Sequence, residues 1–307
     1  MHSKKLIFMG TPLIAKEYLN TLIENKIKIA AVFTQPPKKQ SRGMKLTKSP
    51  VHELAIKKNI NVFHPTFFDD EIIKQIIKIE PELIIVMAYG HILPKEILEL
   101  PNNGCINIHL SILPRWRGAA PIEHCLMNGD KETGISIIKL VEELDAGPII
   151  AQEKLTIPSN FNKLELSNHL TNIGKKLLID TIPKILKNEI ILKDQDKENI
   201  TYASKITSKI RKINFNTSTK NIINLIKAHA PKPGAWFYLN NERIKIIDAK
   251  PGLAKGKIST ILNNNFEIAS NDGSVEPLIL QREGKNIVTK DEFLRGFKLK
   301  VDTIINA

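Results

Sequence analysis

The chain has 307 residues, 42% of them hydrophobic and 25% charged, with 45 lysines and arginines against 32 acids and a net charge of +13. That length is a prior for two domains, and the apolar content is ample for packed cores, which excludes a disordered or fibrous chain. No apolar run approaches the roughly 20 residues that cross a bilayer.

The first half predicts alternating strands and helices. Leu6–Met9 reads as a short buried strand, followed by a helix with Ile14, Tyr18, Leu19, Leu22 and Ile23 on its apolar stripe. Ile27–Phe33 is the next strand, and Thr34–Lys48, with turn residues and no period, is a loop. Ser49 before Pro50 predicts a helix start, and Asp69 with Asp70 predicts another helix running to about Ile79. Leu83–Met87 is an unbroken aliphatic run of the kind that a strand covered on both faces requires. Cys105–His109, Ile135–Leu140 and Ile149–Gln152 continue the series, which implies parallel βαβ units and a doubly wound, mostly parallel Rossmann-like α/β sheet.

Beyond Leu192 the texture changes. Lys193–Asn199 is charged and non-periodic, and a helix is predicted over Thr219–His229 from the clustering of Ile222, Ile223, Leu225 and Ile226. Short β-rich stretches follow, at Trp236–Leu239, Ile244–Ile247, Ile258–Leu262, Phe266–Ala269 and Leu278–Gln281, between turn pairs such as Asn240–Asn241. That spacing predicts a small antiparallel, OB-like β-barrel. The expected division is a first domain over residues 1–192, a linker over 193–206 and a second domain over 207–307.

The charge is uneven. Residues 1–50 and residues 201–250 each hold ten basic and two acidic side chains, on a remainder that is slightly acidic. Two basic zones point to a polyanionic partner rather than to compositional drift, which would spread lysines without excluding acids. Leu6–Met9 is too short for a signal segment, and two cysteines, Cys105 and Cys125, make no disulfide framework, so the expected compartment is the cytoplasm, with no membrane partner.

Several chemistries are poorly supported. No two glycines stand two apart, so the dinucleotide-binding G-x-G-x-x-G is absent. Gly129 and Gly134 have P-loop spacing, but Ile135 occupies the place of the phosphate-binding lysine. The eight histidines are scattered without a ligand spacing, and no metal site is expected.

The informative block is Gly104–Gly118. Alternation on a strand puts Asn107 and His109 on one face and Ile106 and Ile108 on the other. At the C-terminal end of a parallel strand, an amide and an imidazole can stabilise an oxyanion and move a proton, or simply cap nearby loops. After the next strand, Asp145 leaves a turn shaped by Gly147 and Pro148, where it can pair with His109 or serve as a turn former.

Together, Asn107, His109 and Asp145 with Ser111–Pro121 and Leu144–Ile149 resemble the folate-dependent formyltransferase family. The resemblance runs nearly end to end, through Phe8–Pro12, Thr34–Pro36, Ala88–Gly90, Pro233–Ala235, Gly284–Lys285 and Phe293–Gly296. The loop Ser111–Pro121, with its Arg-Trp-Arg-Gly, and the second domain are similar to the members that formylate methionyl-tRNA.

The resemblance implies 10-formyltetrahydrofolate as co-substrate, without metal, and the initiator methionyl-tRNA, through its acceptor stem, as acceptor. No obligate protein partner is implied. Asn107, His109 and Asp145 carry over as the catalytic trio, with Asn107 and protonated His109 expected to bind the oxyanion and Asp145 to hold His109 charged. Met87, Ala88, Tyr89, Gly90, Ser111, Leu113, Pro114, Val141 and Leu144 carry over to the folate pocket. Lys38, Lys39, Arg42, Lys45 and Lys48 match the family's insertion against the acceptor stem, and Lys205, Lys209, Arg211 and Lys212 follow the tRNA further. Trp116 either packs the loop or touches substrate. Glu143 stands where glycine is common, and Phe215 where a tryptophan is expected. A formyltransferase for a small-molecule amine and a non-catalytic RNA-binding protein are the competing readings; the first has no use for the basic zones, and the second does not require His109 with Asp145.

Overall fold

The structure, a computed structural model, describes residues 5–40 and 45–305. They pack into two compact units, one from the described parts of Met1–Arg117, Gly134–Leu155 and His169–Tyr202, the other from Gly118–Thr133, Thr156–Asn168 and Ala203–Ala307.

In the first unit, β1 (Leu6–Gly10) is buried at every position, and α1 (Leu13–Glu24) turns Ala15, Tyr18, Leu19 and Leu22 inward at helical spacing. β2 (Ile29–Phe33) follows. Two short antiparallel strands, β3 (Lys38–Gln40) and β4 (Lys45–Thr47), then stand where the sequence predicts a loop. Three-residue strands whose Leu46 is exposed bury no alternating apolar face, so main-chain pairing forms them and no period announces them. α2 (Pro50–Lys57) starts as predicted, with Ser49 Oγ accepting from the His52 N–H at 3.0 Å. β5 (Asn61–Phe63) leads to α3 (Asp70–Ile79), where Asp69 accepts from the Ile72 N–H at 2.9 Å.

β6 (Leu83–Met87), α4 (Lys95–Glu99) and β7 (Cys105–His109) come next, followed by β8 (Arg117–Gly118), α5 (Pro121–Asn128), β9 (Glu132–Lys139), β10 (Ile149–Thr156) and α6 (Lys163–Leu186). Seven strands form one sheet in the order β10-β9-β7-β6-β1-β2-β5. From β5 to β7 the neighbours are parallel, but β9 runs antiparallel to β7, with His109 opposite Ser136. The sheet is thus mostly parallel, as expected, with β9 the antiparallel exception beside β7. The helix before it, α5, packs within the second unit, so no crossover helix on the sheet returns the chain to the edge from which β7 set out. A β-carbon at Gly174 in α6 would overlap Tyr18 Oη, so glycine lets this helix close over the buried tyrosine.

The predicted linker begins as part of the first unit. Lys193 exchanges two main-chain hydrogen bonds with Ile149, at 2.7 and 3.0 Å, and Lys197–Asn199 form one 3-10 turn.

After β11 (Tyr202–Ala203), the second unit holds α7 (Thr219–His229), at the predicted bounds and packed on α5. β12 (Ala235–Leu239), β13 (Glu242–Pro251), β14 (Ile268–Ala269), β15 (Ser274–Arg282) and β16 (Ile287–Thr289) form an antiparallel sheet, ordered β12-β13-β15-β14 with β16 on β15. The predicted strand Ile258–Leu262 contributes only isolated bridges, Thr260 to Ile304 and Ile261 to Ile268. α8 (Lys290–Gly296), absent from the sequence reading, starts at a capping box of Thr289 and Glu292. Phe215 is fully buried and meets Phe237 edge-on at 5.5 Å, so the aromatic place is filled by core packing.

Candidate active site

The parallel run of β1, β6 and β7 brings the turns after these strands to one end of the sheet, where open α/β sheets hold ligands. Gly10 closes β1, and a β-carbon there would come within 2.8 Å of Ala15 Cβ and 2.9 Å of Met87 O. Thr11 Oγ1 donates to Tyr89 O at 2.8 Å and accepts from the Gln35 N–H at 3.3 Å, tying together the turns after β1, β2 and β6. Ala88 and Gly90 both adopt positive φ, 48° and 89°.

β7 presents Asn107 and His109 as its alternation predicts, while Ile106 and Ile108 are buried. Asp145, 7% exposed, reaches both residues: Asn107 Nδ2 donates to its Oδ1 at 3.3 Å, and His109 Nδ1 lies 3.5 Å from its Oδ2. His109 Nε2 donates to Trp116 O at 2.8 Å, since a carbonyl only accepts. Both ring nitrogens therefore face oxygen atoms. Asp145 itself sits at φ 50°, in the left-handed region that side chains rarely occupy. Gly147 beside it is obligatory, because a β-carbon would overlap Lys139 O.

The loop after β7 is fixed from the neighbouring strands. Ser136 Oγ donates to Ser111 O at 2.7 Å and accepts from the Leu113 N–H at 3.0 Å. Gln152 Nε2 donates to Leu113 O at 2.9 Å and to Ser136 Oγ at 2.8 Å. Ser111 Oγ closes the turn on Arg115 O at 2.6 Å. Trp116 is half-buried under the Arg115 guanidinium, which lies 4.5 Å from its ring centroid.

The residues predicted for the folate pocket divide in two. The side chains of Met87, Tyr89, Ser111 and Leu113 are buried in the protein, and Pro114 is half-buried. Ala88, Gly90, Val141 and Leu144 are exposed. Burial pushes the Tyr89 phenol up, and its ring meets Phe68 and His91 at 6.2 and 5.1 Å.

Of the predicted tRNA contacts in the first unit, Lys38 and Lys48 are exposed, Lys39 and Lys45 lie on β3 and β4, and Arg42 falls outside the described residues. In the second unit Lys205 and Lys209 are exposed, whereas Arg211 donates to Gly234 O at 3.1 Å. Burial, then the Arg243 guanidinium, holds the Arg211 group below its usual range. Lys212 Nζ and the Arg243 guanidinium approach the Trp236 ring centroid at 5.9 and 4.4 Å. Lys212 also lines a recess of about 330 Å³ with Asn128, Asn214, Asn221 and Leu225.

Three residues escaped the sequence reading. Arg243 had a signal, as the partner of Tyr238 across the predicted hairpin turn. Arg117 lies in the Arg-Trp-Arg-Gly loop, and Gln195 in a charged segment with no period. Arg117 Nη1 meets Glu143 Oε1 at 2.9 Å, so the residue that replaces the common glycine has a buried cation to pair with. Among the described residues, no three His, Cys, Asp or Glu side chains are grouped to hold a metal ion.

Residues 4–182 match the family described as Formyl transferase, and residues 205–298 match Formyl transferase, C-terminal domain. The chain belongs to the formyl transferase family. Methionyl-tRNA formyltransferase of Pelagibacter ubique is 39% identical over 300 residues, covering 97% of each chain. Among solved structures, an N-formyltransferase from Helicobacter canadensis in complex with folinic acid and dTDP-3-aminofucose is 22% identical, with a TM-score of 0.67 over 91% of this chain and 99% of that one. Methionyl-tRNA formyltransferase from Clostridium thermocellum is 20% identical, with a TM-score of 0.57 over 81% of this chain and 94% of that one. These structural likenesses establish the shared fold of the family. No helix among the described residues is long and apolar enough to cross a membrane.

Proposed function

We propose that this chain transfers the formyl group of 10-formyltetrahydrofolate to the α-amine of methionyl-tRNA, giving N-formylmethionyl-tRNA for translation initiation. The observation that carries this reading is the convergence of Asn107, His109 and Asp145 at the end of β7 in a member of the formyl transferase family. The acceptor is the initiator tRNA, bound through its acceptor stem, and the reaction belongs to the cytoplasm.

The residues present suit a folate. Exposed Val141 and Leu144 offer apolar surface for a flat ring, and exposed Ala88 and Gly90 leave main chain within reach of its polar edge. With Met87, Tyr89, Ser111 and Leu113 turned into the protein, their part in binding is to shape the main chain, and Pro114 adds a partly open edge. When bound, the folate supplies a formyl carbon on a nitrogen that can depart.

Attack by the amine places negative charge on the formyl oxygen. Asn107, which has a second amide hydrogen to give, and His109, whose Nε2–H is shared between Trp116 O and the formyl oxygen, stabilise that charge; one preorganised donor of this kind contributes roughly 3–4 kcal/mol. His109 takes part in moving the proton from the attacking amine toward the departing nitrogen, and Asp145 orients the ring for both tasks. Lys38, Lys39, Arg42, Lys45 and Lys48 hold the acceptor stem, and Lys205, Lys209, Arg211 and Lys212 follow the backbone.

The test is one assay. Formyl transfer from 10-formyltetrahydrofolate is measured with charged initiator tRNA, charged elongator tRNA and free methionine as acceptors. Transfer to the initiator species alone is expected, and transfer to a small amine with none to tRNA overturns the reading.

A further inference from the structure

We infer that Gln195, oriented by Arg117, is a positioning residue for the Asp145 turn, and that residues 195–201 brace His109 from both sides. The inference rests on the formyl-transfer reading above. Gln195 is 8% exposed, and its Nε2 donates to two main-chain carbonyls of the turn, Asp145 O at 2.7 Å and Gly147 O at 2.8 Å. Its Oε1 accepts from Arg117 Nε at 3.0 Å. Only one orientation of the amide satisfies all three partners, since carbonyls need the NH₂ and a guanidinium needs the oxygen. Arg117, 3% exposed, returns to the same turn through Glu143 Oε1 at 2.9 Å. The bonds thus close a ring that runs from the turn through Gln195 and Arg117 and back.

The turn needs such a ring. Asp145 stands at φ 50° outside any strand or helix, so no regular pairing holds its carboxylate toward Asn107 and His109. Left-handed backbone at a non-glycine residue persists only where its surroundings over-determine it. The opposite side of His109 is held from the same stretch of chain. The Trp116 N–H donates to Thr201 Oγ1 at 2.8 Å and the Arg117 N–H to Thr201 O at 2.9 Å, fixing the loop whose Trp116 carbonyl accepts from His109 Nε2. The turn that carries Asp145 and the loop that carries the Trp116 carbonyl are therefore both anchored from this segment, by Gln195 and Thr201.

The decisive variant is Gln195→Met, which keeps the side-chain length and removes the amide. In the intact enzyme, kcat is expected to fall at least about tenfold, because a misplacement on the order of 1 Å in a catalytic group can cost about a hundredfold. KM for 10-formyltetrahydrofolate and for charged tRNA should stay within about threefold, since neither Gln195 nor Arg117 is among the residues proposed to contact either substrate. In an Asp145→Asn background, Gln195→Met should add less than about twofold, because the carboxylate it positions is already gone. Should Gln195→Met not fold by circular dichroism, Arg117→Lys decides, as an ammonium cannot reach Gln195 and Glu143 with the same fork; the same kcat-selective loss is expected. A folded variant with wild-type kcat, a loss confined to KM, or a full additional loss on top of Asp145→Asn each overturns the assignment. Wild-type protein that transfers no formyl group to tRNA refutes the functional reading instead, so the two failures are distinct.

Discussion

Replacing Asp145 by asparagine tests the centre of the site with little change of shape. The carboxylate presents one oxygen to Asn107 at 3.3 Å and the other to His109 at 3.5 Å. An amide keeps one oxygen and turns an NH₂ to the other partner, so either Asn107 or His109 loses its acceptor and meets a donor. Both contacts are long, which places the loss with that of a single oxyanion-hole donor, about 10²–10³ in kcat or roughly 2.7–4 kcal/mol. The fold should hardly notice. Asparagine tolerates the φ of 50° as well as aspartate does, and the main-chain bond from Gln195 to residue 145 is unaffected. The assay is single-turnover formyl transfer to charged initiator tRNA, with thermal melting alongside. A folded Asp145→Asn protein within about fivefold of wild-type kcat would show that the carboxylate does no catalytic work, and the reasoning would fall with it.

Other outcomes follow from the packing and charge of the two units. His229 is fully buried with neither ring nitrogen hydrogen-bonded, and burial, followed by Lys163, Arg211 and His124, lowers its value to about 4. Its unfolded form takes up a proton first as pH falls, so it contributes stability above about 6.5 that is lost progressively toward pH 4, on the order of 3 kcal/mol. Urea unfolding of a Trp116→Phe protein, followed by Trp236 fluorescence, should show this slope, and His229→Leu should flatten it. Lys209→Ala should raise KM for tRNA while leaving that for folate unchanged, and should reduce the log–log salt slope by about 1. Gly174→Ala should destabilise the first unit by about 1–3 kcal/mol through its clash with Tyr18 Oη. Tyr18→Phe should recover part of that loss, because this buried hydroxyl has no hydrogen-bond partner, and thermal melts of the four proteins of the cycle measure the coupling.

Much of the architecture was legible because local chemistry and tertiary packing agree. The burial of β1 and β6, the stripe on α1, the Ser49 and Asp69 caps and the bounds of α7 all follow from periodicity and capping preferences. The hairpin β3–β4 was invisible because its one apolar residue, Leu46, is exposed, and the direction of β9 because it depends on where α5 packs. At the site, the alternation on β7 was enough to place Asn107 and His109 on one face.

The sequence thus carried the residue types of the reaction and the family that uses them. Their assembly was settled by contacts between distant parts of the chain. Asp145 meets Asn107 across 38 positions, and Gln195 reaches the Asp145 and Gly147 carbonyls across 50 and 48. Neither contact has a period, because a side chain that braces a turn follows the geometry of that turn and not the repeat of its own segment. The same holds for the left-handed backbone of Asp145. A non-glycine residue is stable there only when its neighbours leave it no alternative, and those neighbours become neighbours through folding.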